Sequence, residues 1–236
     1  MIKEAIIKLS KKENLTYTEA EEVMNEIMEG KASDVQKSAY LTALSMKGET
    51  IDEITASAAG MRAHCIKLLH DMDVLEIVGT GGDGANSFHI STTSSLVIAA
   101  AGIPVAKHGN RSISSKSGAG DVLEVLGVNI MAEPAVVERC VNETGIGFMF
   151  AQLFNKSMKY VGQARKEMGI RTVFNILGPL ANPSRAKNMV VGVYSPALTE
   201  AVAKAMARLG VERAFVVSGC DNMDEITRSG KTPVSE

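Results

Sequence analysis

Short apolar runs alternate with helical patterns between residues 75 and 217, and no other feature of the sequence limits the fold as much. The runs begin at Leu75, Ile103, Ile146, Val190 and Ala214, and segments with apolar residues at helical spacing lie between them. A strand, a helix and a second strand in succession form a βαβ unit with parallel strands. The sequence therefore predicts an α/β domain with a mainly parallel sheet.

The alternation also gives bounds for the predicted elements. Strands are predicted at residues 75–78, 103–106, 146–151, 190–194 and 214–217, and helices at residues 91–102, 121–126, 134–144, 156–168 and 196–209. Residues 175–183, in which apolar residues alternate with Gly, Pro and Asn, are predicted to form a rigid buried turn. Residues 229–236 are predicted to form an unsupported tail.

The first 70 residues carry helical patterns and no strand signal. Three hydroxyl residues are each followed three positions later by Glu or Gln, which is the spacing of a capping box at a helix N-terminus. The pairs are Thr18 with Glu21, Ser33 with Gln36 and Thr50 with Glu53. We therefore predict two domains, a small helical domain over residues 1–70 and an α/β domain over residues 71–236.

Charge and composition exclude several classes of protein. With 25 Lys and Arg against 27 Asp and Glu the net charge is −2, which argues against nucleic-acid binding through bulk charge. The longest apolar run, Leu96 to Ala101, is far too short to cross a bilayer. Three widely spaced cysteines and an N-terminus without a signal-peptide layout favour reduced thiols and a cytoplasmic location.

The loop Gly79-Thr80-Gly81-Gly82-Asp83-Gly84 directly follows the first predicted strand. Glycines let the main chain approach a ligand, and successive N–H groups can form an anion-binding nest. The spacing also matches the G-x-G-x-x-G dinucleotide fingerprint, but no helix opens at its last glycine, and the second strand leads into Lys107 rather than an acidic residue. A simple turn is the structural alternative. We favour phosphate binding of a kind different from the dinucleotide fold.

Two further polar segments follow predicted strands. Lys107 to Ser112 contains two cations, an amide and a hydroxyl, and open α/β sheets bind ligands at the carboxyl ends of their strands. Asp224 and Glu225 follow the last predicted strand and form a candidate Mg²⁺ pair, since Mg²⁺ prefers carboxylates and substrate phosphates. The alternatives are a solvated basic loop and an ordinary acidic pair on the surface.

Taken together, four segments resemble the anthranilate phosphoribosyltransferase family: Gly79–Asp83, Lys107–Ser112, Arg171–Leu180 and Asp224–Glu225. The resemblance implies a helical domain joined to an α/β domain, as in pyrimidine nucleoside phosphorylases, and a homodimer formed through the helical domains. It implies transfer of the phosphoribosyl group from 5-phosphoribosyl 1-pyrophosphate (PRPP) to the amine of anthranilate. This reaction requires Mg²⁺, releases pyrophosphate and is the second step of tryptophan biosynthesis.

The resemblance also implies roles for individual residues. Arg165, Asn110 and Gly79 would bind anthranilate, with His108 and Pro179 close by, and Ser91, Asp224 and Glu225 would serve the metals. His108 and Arg165 are the expected positioning residues, and His108 is a candidate acceptor of the departing proton. The residues expected to hold PRPP are Gly79, Gly82, Asp83, Ser87, His89, Ile90, Ser91, Thr92, Lys107, His108, Gly109, Asn110, Arg111, Ser112, Ile113, Ser114, Ser115 and Ala119.

Several positions depart from the family pattern. His89 replaces the usual Asn, Ala119 replaces a Ser, and Asn222-Met223 replaces Gly-Leu; Gln152 and Asn155 stand where the family has Pro and then His. These departures leave two alternatives, a PRPP-binding homologue with impaired or no catalysis and a relative with another aromatic or nucleobase acceptor. Family members continue beyond position 236, so we expect either a piece of a longer protein or a shortened sheet.

Overall fold

The computed structural model describes residues 1–85, 87–112 and 117–236. The chain begins with a helical domain of four helices: α1 (Ile2–Ser10), α2 (Tyr17–Met28), α3 (Asp34–Lys47) and α4 (Ile51–Ala63). Their inner faces bury side chains such as Leu9, Met24, Leu41 and Ile54. The predicted helical character of this region is confirmed.

The capping boxes are confirmed at two of the three predicted positions. Ser33 and Thr50 cap α3 and α4, each paired with the residue three positions later. The predicted capping box of Thr18 with Glu21 is wrong, because Thr16 and Glu19 form the capping box of α2. The main-chain N–H of Glu19 lies 3.3 Å from the Thr16 hydroxyl oxygen. The spacing of a capping box occurs twice in this stretch, at Thr16 with Glu19 and at Thr18 with Glu21. Starting the helix at Tyr17 places Ala20, Val23, Met24, Ile27 and Met28 on its buried face.

In the described part of the α/β domain there is one six-stranded sheet. Its strands are β1 (Leu75–Gly79), β2 (Val105–Gly109), β3 (Ile146–Phe150), β4 (Asn188–Gly192), β5 (Arg213–Val217) and β6 (Val234–Ser235). The order is β3-β2-β1-β4-β5-β6, and β1 to β5 run parallel, as predicted. The helices are α5 (Ile90–Ala100), α6 (Ala119–Val125), α7 (Pro134–Thr144), α8 (Ala151–Phe154), α9 (Lys159–Met168), α10 (Phe174–Leu180) and α11 (Thr199–Arg208).

The second strand lies further along the chain than predicted. It starts at Val105, one residue after Pro104, whose nitrogen has no hydrogen to donate to a sheet. The ladder with β3 then runs through Lys107 and His108 to Gly109. These residues, predicted to open a loop, are therefore part of the sheet.

Residues 175–183 do not form the predicted turn. Most of the segment belongs to α10, which opens where the main-chain N–H of Thr172 donates to the Asn175 side chain at 2.9 Å. Pro179 is accommodated in the last turn of this short helix, and Phe174, Leu177 and Leu180 are buried. The alternation of Gly, Pro and Asn with apolar residues reflects a short buried helix.

The prediction that residues 229–236 form an unsupported tail is also wrong. Val234 and Ser235 form β6, which pairs antiparallel with β5, and the main-chain N–H of Cys220 donates to the carbonyl of Lys231 at 3.1 Å. The helices predicted to start at residues 156 and 196 each begin with a 3-10 turn, and Ser195 makes no side-chain cap hydrogen bond. Within the described ranges no helix has the length and apolar character needed to span a membrane.

Candidate functional site

The glycine loop between β1 and α5 is tied to the neighbouring strands by its main chain. Gly81 and Gly82 have φ values of +70° and +74°, a conformation that glycine adopts without strain. The N–H of Thr80 donates to the carbonyl of Gly192 at 2.9 Å, and the N–H of Gly81 donates to the Asp224 carboxylate at 2.6 Å. The loop that was predicted to bind phosphate therefore lies beside the predicted metal pair.

Three carboxylates gather at this end of the sheet. The main-chain N–H of Asp224 lies 3.4 Å from a carboxylate oxygen of Asp83. Burial raises the pKa of Asp224 to about 6 and the pKa of Glu225 to about 7, and the negative charge of the neighbouring acids acts in the same direction. A cation between these groups would relieve their repulsion.

The residues present fit a hard cation that shares its coordination with the substrate. Asp224 and Glu225 offer oxygen ligands, and the main chain of Ser91 favours the charged form of the Glu225 carboxyl group, which lowers its pKa. Across the described part of the chain, no group of three or more His, Cys, Asp or Glu side chains is arranged to hold a metal alone. A Mg²⁺ ion here would complete its shell with water and phosphate oxygens, as it usually does.

Lys107 lies inside the sheet and does not project from a loop. Its ammonium group donates to the carbonyl of Ile77 at 2.8 Å and to the hydroxyl of Ser91 at 3.4 Å. Burial lowers the pKa of Lys107, and the negative charges of Glu76 and Glu225 oppose this effect. Lys107 therefore links β1, β2 and the first turn of α5 beneath the acidic residues.

Glu76 is a fully buried carboxyl group beside Lys107 that the sequence analysis missed. It accepts a hydrogen bond from the main-chain N–H of His108 at 3.0 Å and another from the side chain of Asn182. Burial raises the pKa of Glu76 to about 8, while the charge of Lys107 opposes the shift. The sequence feature that could have revealed Glu76 is its position as a charged residue in the middle of an apolar strand.

His108 is buried and neutral. Burial, followed by the charge of Lys107, lowers the pKa of His108 to about 4. The main chain of Gly178 in α10 partly opposes this shift, and among the described residues Nε2 has no partner. The structure thus brings His108 next to Gly178 in α10.

Arg165 and Asn110, the other predicted anthranilate residues, make no described contact with each other. The guanidinium carbon of Arg165 lies 5.3 Å from the centre of the Phe174 ring, and burial lowers the pKa of Arg165. None of the described ion pairs involves Arg165. The Asn110 side-chain oxygen accepts from the main-chain N–H of Arg111 at 2.8 Å and lies 3.5 Å from the Gln152 amide nitrogen.

The remaining predicted PRPP residues lie around the amino ends of α5 and α6. Arg111 is engaged by Asp121 and Glu124 of α6, and Asp121 also accepts from the main-chain N–H of Ser112. His89 precedes α5 and contacts the Ser117 hydroxyl at 2.7 Å. Of the others, Gly79 ends β1, Gly82 and Ser87 lie in the β1–α5 connection, Ile90, Ser91 and Thr92 open α5, Gly109 ends β2 and Ala119 opens α6. Ile113, Ser114 and Ser115 lie outside the described residues.

Two departures from the family pattern have visible structural consequences. Asn222 adopts φ +66°, a left-handed conformation that glycine favours and asparagine tolerates. Asn155 is buried at the end of α8, and within the described residues its side-chain oxygen has no hydrogen-bond partner. Asn222 therefore preserves the turn before Asp224, while Asn155 leaves a polar atom unsatisfied.

Two family models match the chain in succession. The model described as "Glycosyl transferase family, helical bundle domain" matches residues 3–65, and the model described as "Glycosyl transferase family, a/b domain" matches residues 71–236.

Curated relatives match at high identity. Anthranilate phosphoribosyltransferase from Lachnoclostridium phytofermentans is 62% identical over 98% of this chain and 69% of its own length. The enzyme of that name from Methanobrevibacter smithii is 58% identical over 100% of this chain and 70% of its own length.

Solved structures agree with these matches. The crystal structure of anthranilate phosphoribosyltransferase from Thermus thermophilus matches at TM-score 0.92 and 45% identity, over 98% of this chain and 69% of that one. The Saccharomyces cerevisiae enzyme in complex with PRPP and Mg matches at TM-score 0.92 and 30% identity, over 99% of this chain and 69% of that one. On its sequence, its fold and the placement of its glycine loop and acidic pair, this chain belongs to the anthranilate phosphoribosyltransferase family.

Proposed function

We propose that this protein transfers the phosphoribosyl group of PRPP to the amine of anthranilate and releases pyrophosphate. The observation that carries the proposal is the meeting of the glycine loop with the acidic pair, where the N–H of Gly81 contacts the Asp224 carboxylate. A phosphate-binding main chain beside cation-seeking carboxylates suits a metal-bound pyrophosphate. The S. cerevisiae relative, whose structure contains PRPP and Mg, supports this interpretation.

Mg²⁺ is the cofactor that we propose for the acidic pair. Asp224 and Glu225 would hold it together with the hydroxyl of Ser91. The raised pKa values of both carboxyl groups support this assignment, because burial and, after it, the negative charge of neighbouring acids disfavour two anions here, and a bound cation would relieve that cost. When bound, Mg²⁺ supplies charge neutralisation for the leaving pyrophosphate.

The chain's own residues would bind and orient the two substrates. The C1–oxygen bond to pyrophosphate breaks with development of an oxocarbenium-like sugar, and the anthranilate nitrogen forms the new bond to C1. Because an aryl amine is neutral at pH 7, the main requirement is to place it beneath C1. Arg165 would hold the anthranilate carboxylate with its two-pronged guanidinium group.

His108 would accept the proton that the amine loses after bond formation. Nε2 of His108 has no hydrogen-bond partner among the described residues, so it is the candidate acceptor of a neutral imidazole. The low pKa makes His108 a weak base, which suffices for a protonated secondary aryl amine because that group is a strong acid. The pyrophosphate and water then remove the proton from the site.

The test follows the loss of anthranilate fluorescence in the presence of PRPP and Mg²⁺, with a reaction lacking PRPP as the control. We expect turnover that depends on both PRPP and Mg²⁺. Calorimetric binding of PRPP without loss of anthranilate would instead favour a non-catalytic PRPP-binding homologue. Two departures from the family pattern support that alternative. The ring of His89 contacts the Ser117 hydroxyl, and Ala119 has no hydroxyl group. Transfer to a nucleobase but not to anthranilate would favour a different acceptor.

We also propose that the helical domain forms a homodimer. Large apolar side chains are exposed on α1 and α3, including Ile7 at 57%, Val35 at 80% and Met46 at 81%. Light scattering coupled to gel filtration would give the mass in solution, and Met46→Glu should shift it toward that of a monomer. A monomeric parent chain would contradict the proposal.

A further inference from the structure

Arg171 connects the segment between α9 and α10 to the glycine loop. Its guanidinium group donates a hydrogen bond to the carbonyl oxygen of Gly82, and its guanidinium carbon lies 4.2 Å from the centre of the Tyr194 ring. The two residues joined by the hydrogen bond are 89 positions apart in the sequence. The aromatic ring supports the flat guanidinium group and restricts its orientation.

The hydrogen bond to Gly82 fixes the direction of the following peptide group. In a trans peptide the carbonyl of one residue and the N–H of the next point in opposite directions, and the described chain contains no cis peptide bond. A carbonyl of Gly82 that faces Arg171 therefore turns the N–H of Asp83 away from Arg171. The orientation of one N–H group in the proposed phosphate loop thus depends on this side chain.

Other contacts fix the preceding residues of the loop and the Asp83 side chain, whereas among the described residues the main chain of the Gly82–Asp83 peptide is bound by Arg171. The N–H of Thr80 is bound by Gly192 and the N–H of Gly81 by Asp224. The N–H of Tyr194 in turn donates to the Thr80 hydroxyl at 3.2 Å. Arg171 thus adds the next anchor along the loop.

The main chain of Arg171 is itself anchored on the helical domain. The hydroxyl of Ser45, in α3, donates to the carbonyl of Arg171 at 3.1 Å. The next residue, Thr172, is bound through its N–H by Asn175 at the start of α10. One residue therefore joins α3, the segment leading into α10 and the glycine loop.

We infer that Arg171 is a positioning residue that orients the Gly82–Asp83 peptide for binding of the PRPP pyrophosphate. This inference rests on the proposed function, because it assigns the glycine loop to PRPP. It differs from the role proposed for Arg165, since Arg171 acts on the loop and leaves the anthranilate side unchanged.

Three variants distinguish the hydrogen bond and stacking of the Arg171 side chain from its positive charge. Arg171→Ala removes the hydrogen bond and the stacking, Arg171→Lys keeps a charge and a donor, and Tyr194→Leu removes the stacking partner alone. Arg139→Ala is the matched control, because Arg139 is exposed on α7 and makes no described hydrogen bond or ion pair. Since Arg171 is also exposed, its two variants should fold, and thermal melting verifies the fold of these variants, of Tyr194→Leu and of Arg139→Ala.

Three measurements are made on each variant. Calorimetry gives the affinity for PRPP with Mg²⁺, and steady-state kinetics give KM for each substrate and kcat. Hydrogen–deuterium exchange of residues 79–85 in the ligand-free chain reports the order of the loop independently of activity.

For Arg171→Ala we expect about a tenfold loss of PRPP affinity, as for one charge-assisted hydrogen bond at a partly exposed site. We also expect a matching rise in the KM for PRPP, an unchanged KM for anthranilate and faster exchange. Arg171→Lys and Tyr194→Leu should fall between Arg171→Ala and the parent.

The inference is overturned if PRPP affinity in Arg171→Ala stays within about twofold of the parent, or if Arg139→Ala loses as much. It is also overturned if exchange of residues 79–85 is unchanged. A parent chain that binds PRPP without transferring it contradicts only the proposed reaction, and the affinity and exchange measurements still decide the role of Arg171. A parent chain that does not bind PRPP overturns both proposals.

Discussion

Gly192, the last residue of β4, lies directly against the main chain of Asp224. A Cβ atom added to Gly192 would stand 1.5 Å from the carbonyl oxygen of Asp224. The end of β1 is also close, since a Cβ on Gly79 would stand 2.2 Å from the Asp224 carboxylate. The segment that carries the acidic pair thus folds over two parallel strands that both end in glycine.

We expect Gly192→Ala to displace the Asp224 segment and to abolish Mg²⁺-dependent binding of pyrophosphate. The main chain cannot yield to a clash of this size without moving the carboxylates. Gly162→Ala is the control, because Gly162 lies in α9, where an added Cβ would meet no described atom within 4 Å outside its chain neighbours and the backbone of its own helix. It should raise the free energy of unfolding by about 0.5–1 kcal/mol. Calorimetry with magnesium pyrophosphate makes the measurement, and normal binding by Gly192→Ala would contradict the close packing.

Replacing both acids, as in Asp224→Asn with Glu225→Gln, should remove the response to Mg²⁺ while stabilising the metal-free fold. Both carboxyl groups have a pKa raised in the folded state, to about 6 and about 7. The folded chain therefore holds protons that the unfolded chain has released, so stability falls as pH rises from about 4 to about 7. After discounting for solvent screening, the double variant should gain roughly 1–3 kcal/mol at pH 8 without metal.

The same protons compete with the metal. In the parent chain, the affinity for magnesium pyrophosphate should increase between pH 6 and pH 8, as Asp224 and Glu225 lose their protons. Urea unfolding and calorimetry at three pH values provide the test. A double variant that binds magnesium pyrophosphate as tightly as the parent would show that the metal lies elsewhere.

The alternation of strands and helices sufficed to predict the parallel sheet, whereas the shared role of the glycine loop, Asp224 and Glu225 was implied only by the family resemblance. Local patterns did not place Lys107, because the strand continues past the point where charged residues appear, and its buried ammonium group binds the carbonyl of Ile77. The two-residue strand β6 carries no periodicity of its own and exists because the edge of β5 is available to it.

Contacts between distant segments were the least predictable part of the site. Glu76 meets Asn182 and the main chain of His108 only once β1, β2 and the segment after α10 are packed together. Arg171 likewise reaches Gly82 across the fold. Residue type and local spacing carry no information on such pairs in a single sequence.

His108 should remain neutral throughout the range in which the protein is active. With a pKa of about 4 when folded, against 6.5 in the unfolded chain, His108 binds its proton only on unfolding at intermediate pH. Stability should therefore fall as pH drops from about 6.5 to about 4, by roughly 2–3 kcal/mol from this residue. Urea unfolding of the parent and of His108→Gln at pH 5 and pH 7 tests this, and the variant should show the smaller difference. An equal difference in both would place the acid sensitivity in other groups.

Lys107→Ala should lower both the stability of the chain and its affinity for PRPP. The substitution leaves the carbonyl of Ile77 without its buried donor and removes the positive charge between Glu76 and Glu225. We expect a loss of about 1.5–3 kcal/mol in the free energy of unfolding. Urea unfolding and PRPP calorimetry are compared on the same preparation. Lost affinity at unchanged stability would instead mean that the ammonium group faces the substrate.

Arg165→Ala should raise the KM for anthranilate and leave PRPP binding unchanged. The guanidinium group lies over Phe174, and no described carboxylate pairs with it, so it is available to an acidic ligand. Loss of a charge-assisted contact of this kind corresponds to about 1.5–3 kcal/mol, or roughly 10- to 150-fold in KM.

Arg165→Lys should recover only part of the loss, because an ammonium group cannot form the two parallel hydrogen bonds that a carboxylate accepts from a guanidinium group. Phe174→Leu tests the stacking, and a smaller rise in the same KM is expected. The measurement is a titration of each substrate at saturating concentration of the other. An equal loss for both substrates, accompanied by a lower melting temperature, would assign Arg165 a structural role.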